Sequence, residues 1–400
     1  MKRFLMIFMI FSMVLGFYGC TLDADKFTTV TTFAGQPGVR GYQNGNVSGG
    51  NAANVLFAQP EALAMDASGH LLIGDSGNKA IRRILLSGPN SGRVEDVVTV
   101  GIAGDIRGMA VDSGRNIIIS DHHAHKIKKF DSNGVLIGEY GSNMGYLDGP
   151  GDTAMFNFPA GVAVDSNDNI YVADTYNNRV RKIDTAGNVS TFAGSTKDYA
   201  EGQGAAAKFK EIVGVAVDSK NNIIVADTWN HCIRFLDPEG NSGMYASHRG
   251  SWGFQDGESA QARVGTPQFL FFDRFDNLYF TDAVIMAVRT VTPGRTVPAQ
   301  PIPGNPNLAK EEPLPTGSPN VTLGPGDNWG PDKVVARFVY TLAGYKGFSN
   351  AANHFIGHGY RDGNNNEALF NKPRGIAVTR NGNTIYVADM DNHVIRRIDR

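Results

Sequence analysis

Residues 161–184 read GVAVDSNDNIYVADTYNNRVRKID, and residues 214–237 repeat them closely as GVAVDSKNNIIVADTWNHCIRFLD. A third copy, GIAVTRNGNTIYVADMDNHVIRRID, occupies 375–399 with one extra residue in its first turn. Self-similarity of this kind is the signature of a repeat architecture, in which each unit buries its apolar surface against its neighbours. These copies decide the fold.

Three weaker copies complete the series at 62–85, 108–131 and 269–291. All six share an aspartate near their centre: Asp75, Asp121, Asp174, Asp227, Asp282 and Asp389. The aspartates recur about every 50 residues, except that the last interval is about twice as long. The segment 292–335 lies in this long interval, lacks the repeat pattern and holds ten of the 18 prolines. Because proline cannot donate a ladder hydrogen bond, we predict an insertion within the fifth unit, not a seventh unit.

Each unit predicts short strands that are buried on both faces. Residues 169–174, NIYVAD, are apolar at consecutive positions, so neither face of that strand is expected to meet water. Ile81 and Ile84 flank a basic pair and lie three residues apart, which places them on opposite faces of a strand. Strands of this kind suit a blade packed between two others, and the sequence therefore predicts an all-β, six-bladed propeller.

The two ends of the chain predict how the ring closes. The last unit stops at Arg400, before a fourth strand. Residues 30–35, VTTFAG, closely resemble the fourth strand VSTFAG of another unit at 189–194. We therefore expect the N-terminal strand to complete the last blade, which removes two exposed sheet edges.

The repeats resemble the NHL family, whose pattern is a glycine, an apolar-Ala-Val-Asp strand, an asparagine turn, Tyr-Val-Ala-Asp-Thr-x-Asn and a basic, apolar strand. The resemblance covers about residues 27–400 apart from the insertion. It implies a propeller scaffold. The few six-bladed relatives that are enzymes, such as lactonases and amidoglycolate lyases, hold a metal at the funnel through single, unrepeated ligands. No such set carries over to this chain.

The N-terminus predicts export. Lys2 and Arg3 precede an apolar run from Phe4 to Phe17, which is shorter than a membrane span and typical of a signal peptide. The run ends in LGFYGC, which resembles a bacterial lipobox with Cys20 as the lipidated residue. We expect a signal peptide over 1–19, a tether over 20–26 and a propeller over 27–400. A plain signal peptide with an incidental cysteine is the alternative.

These features resemble surface lipoproteins of the Bacteroidetes type, so we expect a lipid anchor in the bacterial outer membrane, facing the surface or the periplasm. The second cysteine, Cys232, lies in an apolar strand pattern and is expected to be buried and inert. A formal charge of −2 gives no reason to expect nucleic acid as a partner. We expect a monomer that contacts the membrane only through its anchor.

The loops between units carry a related motif, an aromatic residue followed by x-Asp-Gly or a close variant. It begins at Tyr42, Tyr146, Tyr199, Phe254 and Tyr360. One loop, around Gly101–Asp105, is short and lacks the motif, which should leave a notch in the rim. The motif is interpreted as a scaffold of positive-φ turns, and alternatively as a rim of rings for stacking on sugars.

Residues that do not repeat are the better candidates for a ligand site. Those at the turns between second and third strands are His122, His123, Tyr176, Trp229 and Asp391, with Trp252 on the loop that leads to blade five. Tyr146 and Tyr360 join this candidate set from the rim motif. Exposed tryptophan and tyrosine offer flat apolar faces with polar edges, which sugars and peptides require.

The run DHHAH at 121–125 suggests a metal site, because imidazole is a common zinc ligand. Adjacent histidines on one turn do not easily point at one ion, so we predict no metal site and no cofactor. A calcium or zinc ion in the funnel stays open as an alternative. The repeated aspartates are expected to hold the turn geometry.

Three functions remain. The preferred one is a lipid-anchored, non-enzymatic envelope protein that binds a glycan, a peptide or a protein on its loop face. The alternative is a metal-dependent enzyme at the funnel, similar to a lactonase or a lyase. The third is an architectural role, in which the insertion docks onto another envelope protein.

Overall fold

The computed structural model describes residues 28–50, 52–247, 250, 252–292, 337–344 and 359–400. Six antiparallel sheets stand around a central axis, so the predicted all-β, six-bladed propeller is confirmed. The innermost strand of each blade contacts the innermost strands of both neighbouring blades, which closes the ring.

The strands are as follows in chain order. The N-terminal strand is β1 (Thr29–Ala34). Blade one holds β2 (Pro60–Met65), β3 (Leu71–Asp75), β4 (Ala80–Ile84) and β5 (Val94–Val98). Blade two holds β6 (Ile106–Val111), β7 (Ile117–Asp121), β8 (Lys126–Phe130) and β9 (Leu136–Tyr140). Blade three holds β10 (Gly149–Pro150), β11 (Pro159–Val164), β12 (Ile170–Asp174), β13 (Arg179–Ile183) and β14 (Asn188–Gly194).

Blade four holds β15 (Val215–Val217), β16 (Ile223–Asp227), β17 (Cys232–Leu236) and β18 (Ser242–Ala246). Blade five holds β19 (Gly257–Glu258), β20 (Pro267–Phe272), β21 (Leu278–Asp282), β22 (Ala287–Thr292) and β23 (Phe338–Ala343). Blade six holds β24 (Gly363–Asn364), β25 (Pro373–Val378), β26 (Thr384–Asp389) and β27 (Val394–Asp399), together with β1. The two-residue strands β10, β19 and β24 pair with the outer edges of their blades.

The ring closes as predicted, because β1 pairs antiparallel with β27 and forms the fourth strand of blade six. Thr29 lies opposite Asp399, and Val30 lies opposite Ile398. Val30 and Ala34 are fully buried. The chain therefore enters and leaves the propeller side by side.

The propeller has two unlike faces. The loop face carries the connections between blades and the turns between second and third strands. Among the described residues, five of those turns are 3₁₀ turns, at Ser76–Asn78, His122–Ala124, Thr175–Asn177, Thr228–Asn230 and Met390–Asn392. The remaining 3₁₀ turns of the described part are Ser48–Gly50, Ala52–Asn54 and Gly204–Ala206. The opposite turn face carries the other connections, and both described chain ends lie there.

The core lies between blades. Each apolar cluster joins residues of neighbouring blades; one of them combines Ile118 and Ile127 of blade two with Val162 and Val172 of blade three. Both faces of the middle strands are thus buried, as the sequence predicts. Cys232 is fully buried in β17.

A glycine near the start of several inner strands allows them to approach closely. A Cβ atom on Gly161 would lie 2.7 Å from the carbonyl oxygen of Val213 in the next blade. The amide of Gly161 instead donates a hydrogen bond to that oxygen, at 2.7 Å. The central channel is correspondingly narrow, with a cavity of about 40 Å³.

Several expectations fall outside the described residues. They are the signal peptide over 1–19, the tether over 20–26 with Cys20, and nearly all of the insertion over 292–335. The strands that flank the insertion, β22 and β23, pair with each other in blade five. In the described part of the chain, no helix has the length and apolar character needed to cross a membrane.

Candidate functional site

Five buried arginines explain the repeated aspartates. Arg82, Arg181, Arg234, Arg289 and Arg396 each have 0% exposed surface and pair with the aspartate of their own repeat. In blade three, Asp174 Oδ2 lies 2.7 Å from Arg181 Nη1, while its Oδ1 accepts a hydrogen bond from the amide of Asn157. Asp174 also accepts a hydrogen bond from Asn177 within the turn. The aspartates hold the turns in place, and a buried cation balances their charge.

The rim motif covers these arginines. The guanidinium of Arg181 lies between the rings of Tyr146 and Phe156, 5.0 and 5.1 Å from their centres. Asp148 of the motif lies 2.6 Å from Arg181 Nη2 and accepts a hydrogen bond from the amide of Thr191. These contacts are the ones expected if the motif serves as a scaffold.

Tyr360 repeats this arrangement over Arg396, with its ring centre 5.0 Å from the guanidinium carbon. Tyr146 and Tyr360 each use one ring face in this way and keep part of their surface exposed. Trp252 lies on the same rim and is also exposed. These three predicted ligand residues belong to the rim, not to the centre of the loop face.

Blade two departs from the pattern where its loop is short. Lys128 replaces the buried arginine and lies 2.6 Å from Asp121. Glu139, on the outer strand β9, comes within 3.7 Å of the same lysine. Its carboxylate thus approaches the buried cation of its blade, as the rim-motif aspartate does in blades three, five and six.

The channel opens on the loop face through six residues that the sequence analysis missed. Each precedes the inner-strand glycine or the residue that takes its place, and they are Glu61, Arg107, Ala160, Val213, Gln268 and Arg374. Arg107 of this set lines the channel itself, and Leu63, Met109 and Ile376 line it two positions after Glu61, Arg107 and Arg374. We call this set the mouth ring.

The mouth ring is polar on one side and apolar on the other. Blades five, six, one and two contribute Gln268, Arg374, Glu61 and Arg107, whereas blades three and four contribute Ala160 and Val213. Arg107 Nε lies 2.9 Å from Glu61 Oε2, and Arg374 Nη1 donates a hydrogen bond of 2.7 Å to Gln268. The polar half thus brings two guanidinium groups to a single carboxylate.

Burial perturbs these charged groups. It raises the pKa of Glu61, against the opposing effect of Arg107 and Arg374. It lowers the pKa of Arg374 to about 10, and the charge of Arg107 acts in the same direction. Within the described structure, three buried atoms have no hydrogen-bond partner: Glu61 Oε2, Arg107 Nε and Arg374 Nε. Glu61 Oε2 and Arg107 Nε are 2.9 Å apart, but their geometry is not that of a hydrogen bond.

His122 and His123 have different surroundings. His122 is buried, and its Nδ1 lies 2.9 Å from the carbonyl oxygen of Pro159 in blade three. Ser76 and Thr228 make the same contact to the next blade from the equivalent position. Burial lowers the pKa of His122 to about 3, with a further contribution from Arg107.

His123 is exposed, and its Nδ1 lies 3.0 Å from Asp105 just before β6. No group of three histidine, cysteine, aspartate or glutamate side chains in the described ranges is placed to hold a metal ion.

The remaining candidates surround the mouth ring. Tyr176 and Trp229 are the second residues of their turns in blades three and four, and they are 53% and 51% exposed. Asp391 takes the same position in blade six and lies 2.8 Å from Lys372. The two exposed rings therefore stand on the blades that form the apolar half of the mouth ring.

Comparisons with known proteins agree with this architecture. The NHL repeat model matches residues 156–183, 209–234 and 370–398. NHL repeat-containing protein 2 from Bos taurus is 28% identical over 332 residues, or 71% of this chain and 44% of that protein. The chain spans less than half the length of the curated relatives it matches.

Two solved structures share the fold. An auxiliary nutrient binding protein from Bacteroides ovatus has a TM-score of 0.61 at 18% identity, covering 93% of this chain and 76% of that one. A Bacteroides thetaiotaomicron protein of unknown function has the same TM-score and the same coverage at 15% identity.

Proposed function

We propose that this NHL-repeat propeller is an exported, lipid-anchored envelope protein that binds a ligand at the mouth of its central channel and performs no chemistry on it. The observation that carries the proposal is the contrast between scaffold and mouth. Arginine, aspartate and aromatic residues recur from blade to blade in the scaffold. The mouth ring does not repeat in this way, since only blades two and six have the same residue there, an arginine. Repeated residues maintain the fold, and a cluster of charged residues that does not repeat needs another explanation.

A glycan or a peptide is the ligand class that the surroundings favour. Tyr176 and Trp229 offer exposed rings on the loop face, and such ligands use aromatic rings of this kind. The name of the Bacteroides ovatus neighbour, an auxiliary nutrient binding protein, supports a binding role.

The leader and Cys20 support the envelope location. The structure adds a geometric point, because Thr28 lies on the turn face, within 3.1 Å of Asp399. A tether to Cys20 therefore leaves the propeller on the side opposite the mouth. An anchor in the membrane would leave the proposed site accessible.

The test is a glycan and peptide array probed with the soluble chain from Thr21. We expect binding that is lost in Tyr176→Ala and Trp229→Ala. Phe275→Ala is the matched control, because it removes an aromatic ring from the turn face. Trp252→Ala distinguishes a rim contact from a mouth contact. Binding that survives both Tyr176→Ala and Trp229→Ala, or an array without any bound ligand, would refute the site.

A further inference from the structure

We propose that Arg107 and Arg374 bind the carboxylate of an acidic sugar, whose ring rests against the exposed rings of Tyr176 and Trp229. The inference rests on the proposed function and names its ligand class. It would make the mouth a recognition site for uronic acid residues.

The two mouth arginines differ from the scaffold arginines. Each of the five scaffold guanidiniums lies between two rings, is fully buried and has an aspartate of its own. Arg107 keeps 22% of its side chain exposed at the channel mouth. It shares Glu61 with Arg374, whose hydrogen-bond partner is an amide and not a carboxylate. These two cations thus do not belong to the repeated arginine set, and Arg107 is accessible to a ligand.

The charge of the mouth favours an anion. With Glu61 ionised, the polar half of the mouth ring carries one positive charge in excess. Of the nearby carboxylates, Asp391 lies 2.8 Å from the cation of Lys372, and Asp105 lies 3.0 Å from His123 Nδ1. Guanidinium groups match a carboxylate in geometry and form stronger hydrogen bonds with it than with neutral acceptors.

The shape of the mouth favours a single sugar ring over a peptide chain. The channel below holds about 40 Å³, which accommodates only about one or two water molecules. A ligand must therefore lie across the mouth and direct only its charged group inward. Ala160 and Val213 are buried, so the apolar surface that blades three and four offer to a ligand is that of the exposed rings at their turns, Tyr176 and Trp229. A uronic acid has one flat apolar face for these rings and one carboxylate for the arginines.

The experiment titrates the soluble chain from Thr21 by calorimetry with D-galacturonic acid and its short oligomers, with D-galactose oligomers as the neutral counterpart. We expect the acidic series to bind and the neutral series to bind at least tenfold more weakly. Arg107→Gln combined with Arg374→Gln should weaken acidic binding by about 10- to 100-fold, as for lost hydrogen bonds to a charged group. Glu61→Gln should strengthen it, because it removes the competing carboxylate.

Arg274→Gln is the matched control, since it removes an exposed guanidinium from the turn face. Melting temperatures of all variants verify that the fold is intact. Equal affinity of the acidic and neutral series, or unchanged acidic binding in the double variant, would overturn the inference. A third arm uses acetylated glutamate-containing peptides: binding of these alone would overturn the sugar assignment while leaving the binding function in place. If the glycan and peptide array shows no bound ligand, the binding function itself fails.

Discussion

Arg181 and Lys182 are neighbours in β13 and carry the same charge, but they lie on opposite faces of the strand. Arg181 is fully buried between two rings and beside Asp174, whereas Lys182 is partly exposed, 5.8 Å from the ring of Tyr171. The first cation belongs to the core and the second to the surface. The two members of this basic pair therefore have different structural roles, although they carry the same charge.

This pair gives a matched test. Arg181→Met should lower the free energy of unfolding by about 3–5 kcal/mol, because it leaves the carboxylate of Asp174 buried without its cation. Lys182→Met should change it by less than about 1 kcal/mol, as expected near the surface. Urea unfolding of both variants measures the difference. Similar losses for the two would contradict the core role of Arg181.

His122 predicts a pH dependence of stability. Its pKa is lowered from 6.5 to about 3, so the folded state keeps the ring neutral while the unfolded state binds a proton below pH 6.5. The contribution of this residue is fully present above pH 6.5 and is lost as the pH falls from there toward 3. At pH 5 the loss should be about 2 kcal/mol.

His122→Thr isolates this effect, since Thr228 makes the equivalent contact without a titrating ring. The difference in unfolding free energy between pH 7.5 and pH 5 should be about 2 kcal/mol smaller in the variant. An identical pH dependence in the two proteins would show that folding does not lower the pKa of His122.

The structural role of a residue could be predicted from the sequence where that residue recurs in every repeat. The aspartates were assigned to the turns because every unit keeps one. The burial of Arg181 was not predicted, because a basic pair ordinarily marks a wet face and the ring pair around it comes from a distant loop. The mouth ring was missed for the opposite reason. Its members differ from repeat to repeat, and they lie where the sequence pattern marks only the start of a strand. Pro373-Arg374-Gly375, for example, resembles a turn, and only the ring of blades shows that Arg374 lies at the channel mouth.

Among the strands, β1 is the one that closes the ring. Its side chains Val30 and Ala34 belong to two different apolar clusters, so the strand contributes to both interfaces of blade six. A chain that begins at Gly35 should therefore be less stable by about 3 kcal/mol or more, from the lost apolar burial alone. Thermal melting of this variant, compared with a chain that begins at Thr28, measures the effect. Equal melting temperatures would contradict the closure.

The strands and the closure could be predicted because each has a copy elsewhere in the chain, which supplies its bounds and its partner. The two-residue strands β10, β19 and β24 could not. They arise from loops that reach the outer edge of a blade, and no apolar pattern marks so short a pairing. In the described structure β5, β9 and β18 have no such strand beside them, although only the connection before blade two is short.

For the whole molecule, the binding and enzyme hypotheses differ in their need for a metal. We expect the purified protein to contain less than a stoichiometric amount of calcium or zinc, and its melting temperature to be unaffected by a chelator. The physical reason is that the mouth presents two arginines, which repel a cation, and its single carboxylate is shared between them. Elemental analysis and melting with and without EDTA provide the measurement. One bound metal ion per chain, with a chelator-sensitive melt, would favour the enzyme.

The side-by-side entry and exit of the chain has a mechanical consequence. If Cys20 is anchored, a pull on a bound ligand passes from the loop face through the propeller and out along β1 to the tether. The hydrogen bonds between β1 and β27 run across the strands, so such a pull loads them together in shear. Shear distributes the force over the whole strand, whereas peeling would break the bonds one after another. The strand that closes the ring is thus also placed to bear the tension between cell and ligand.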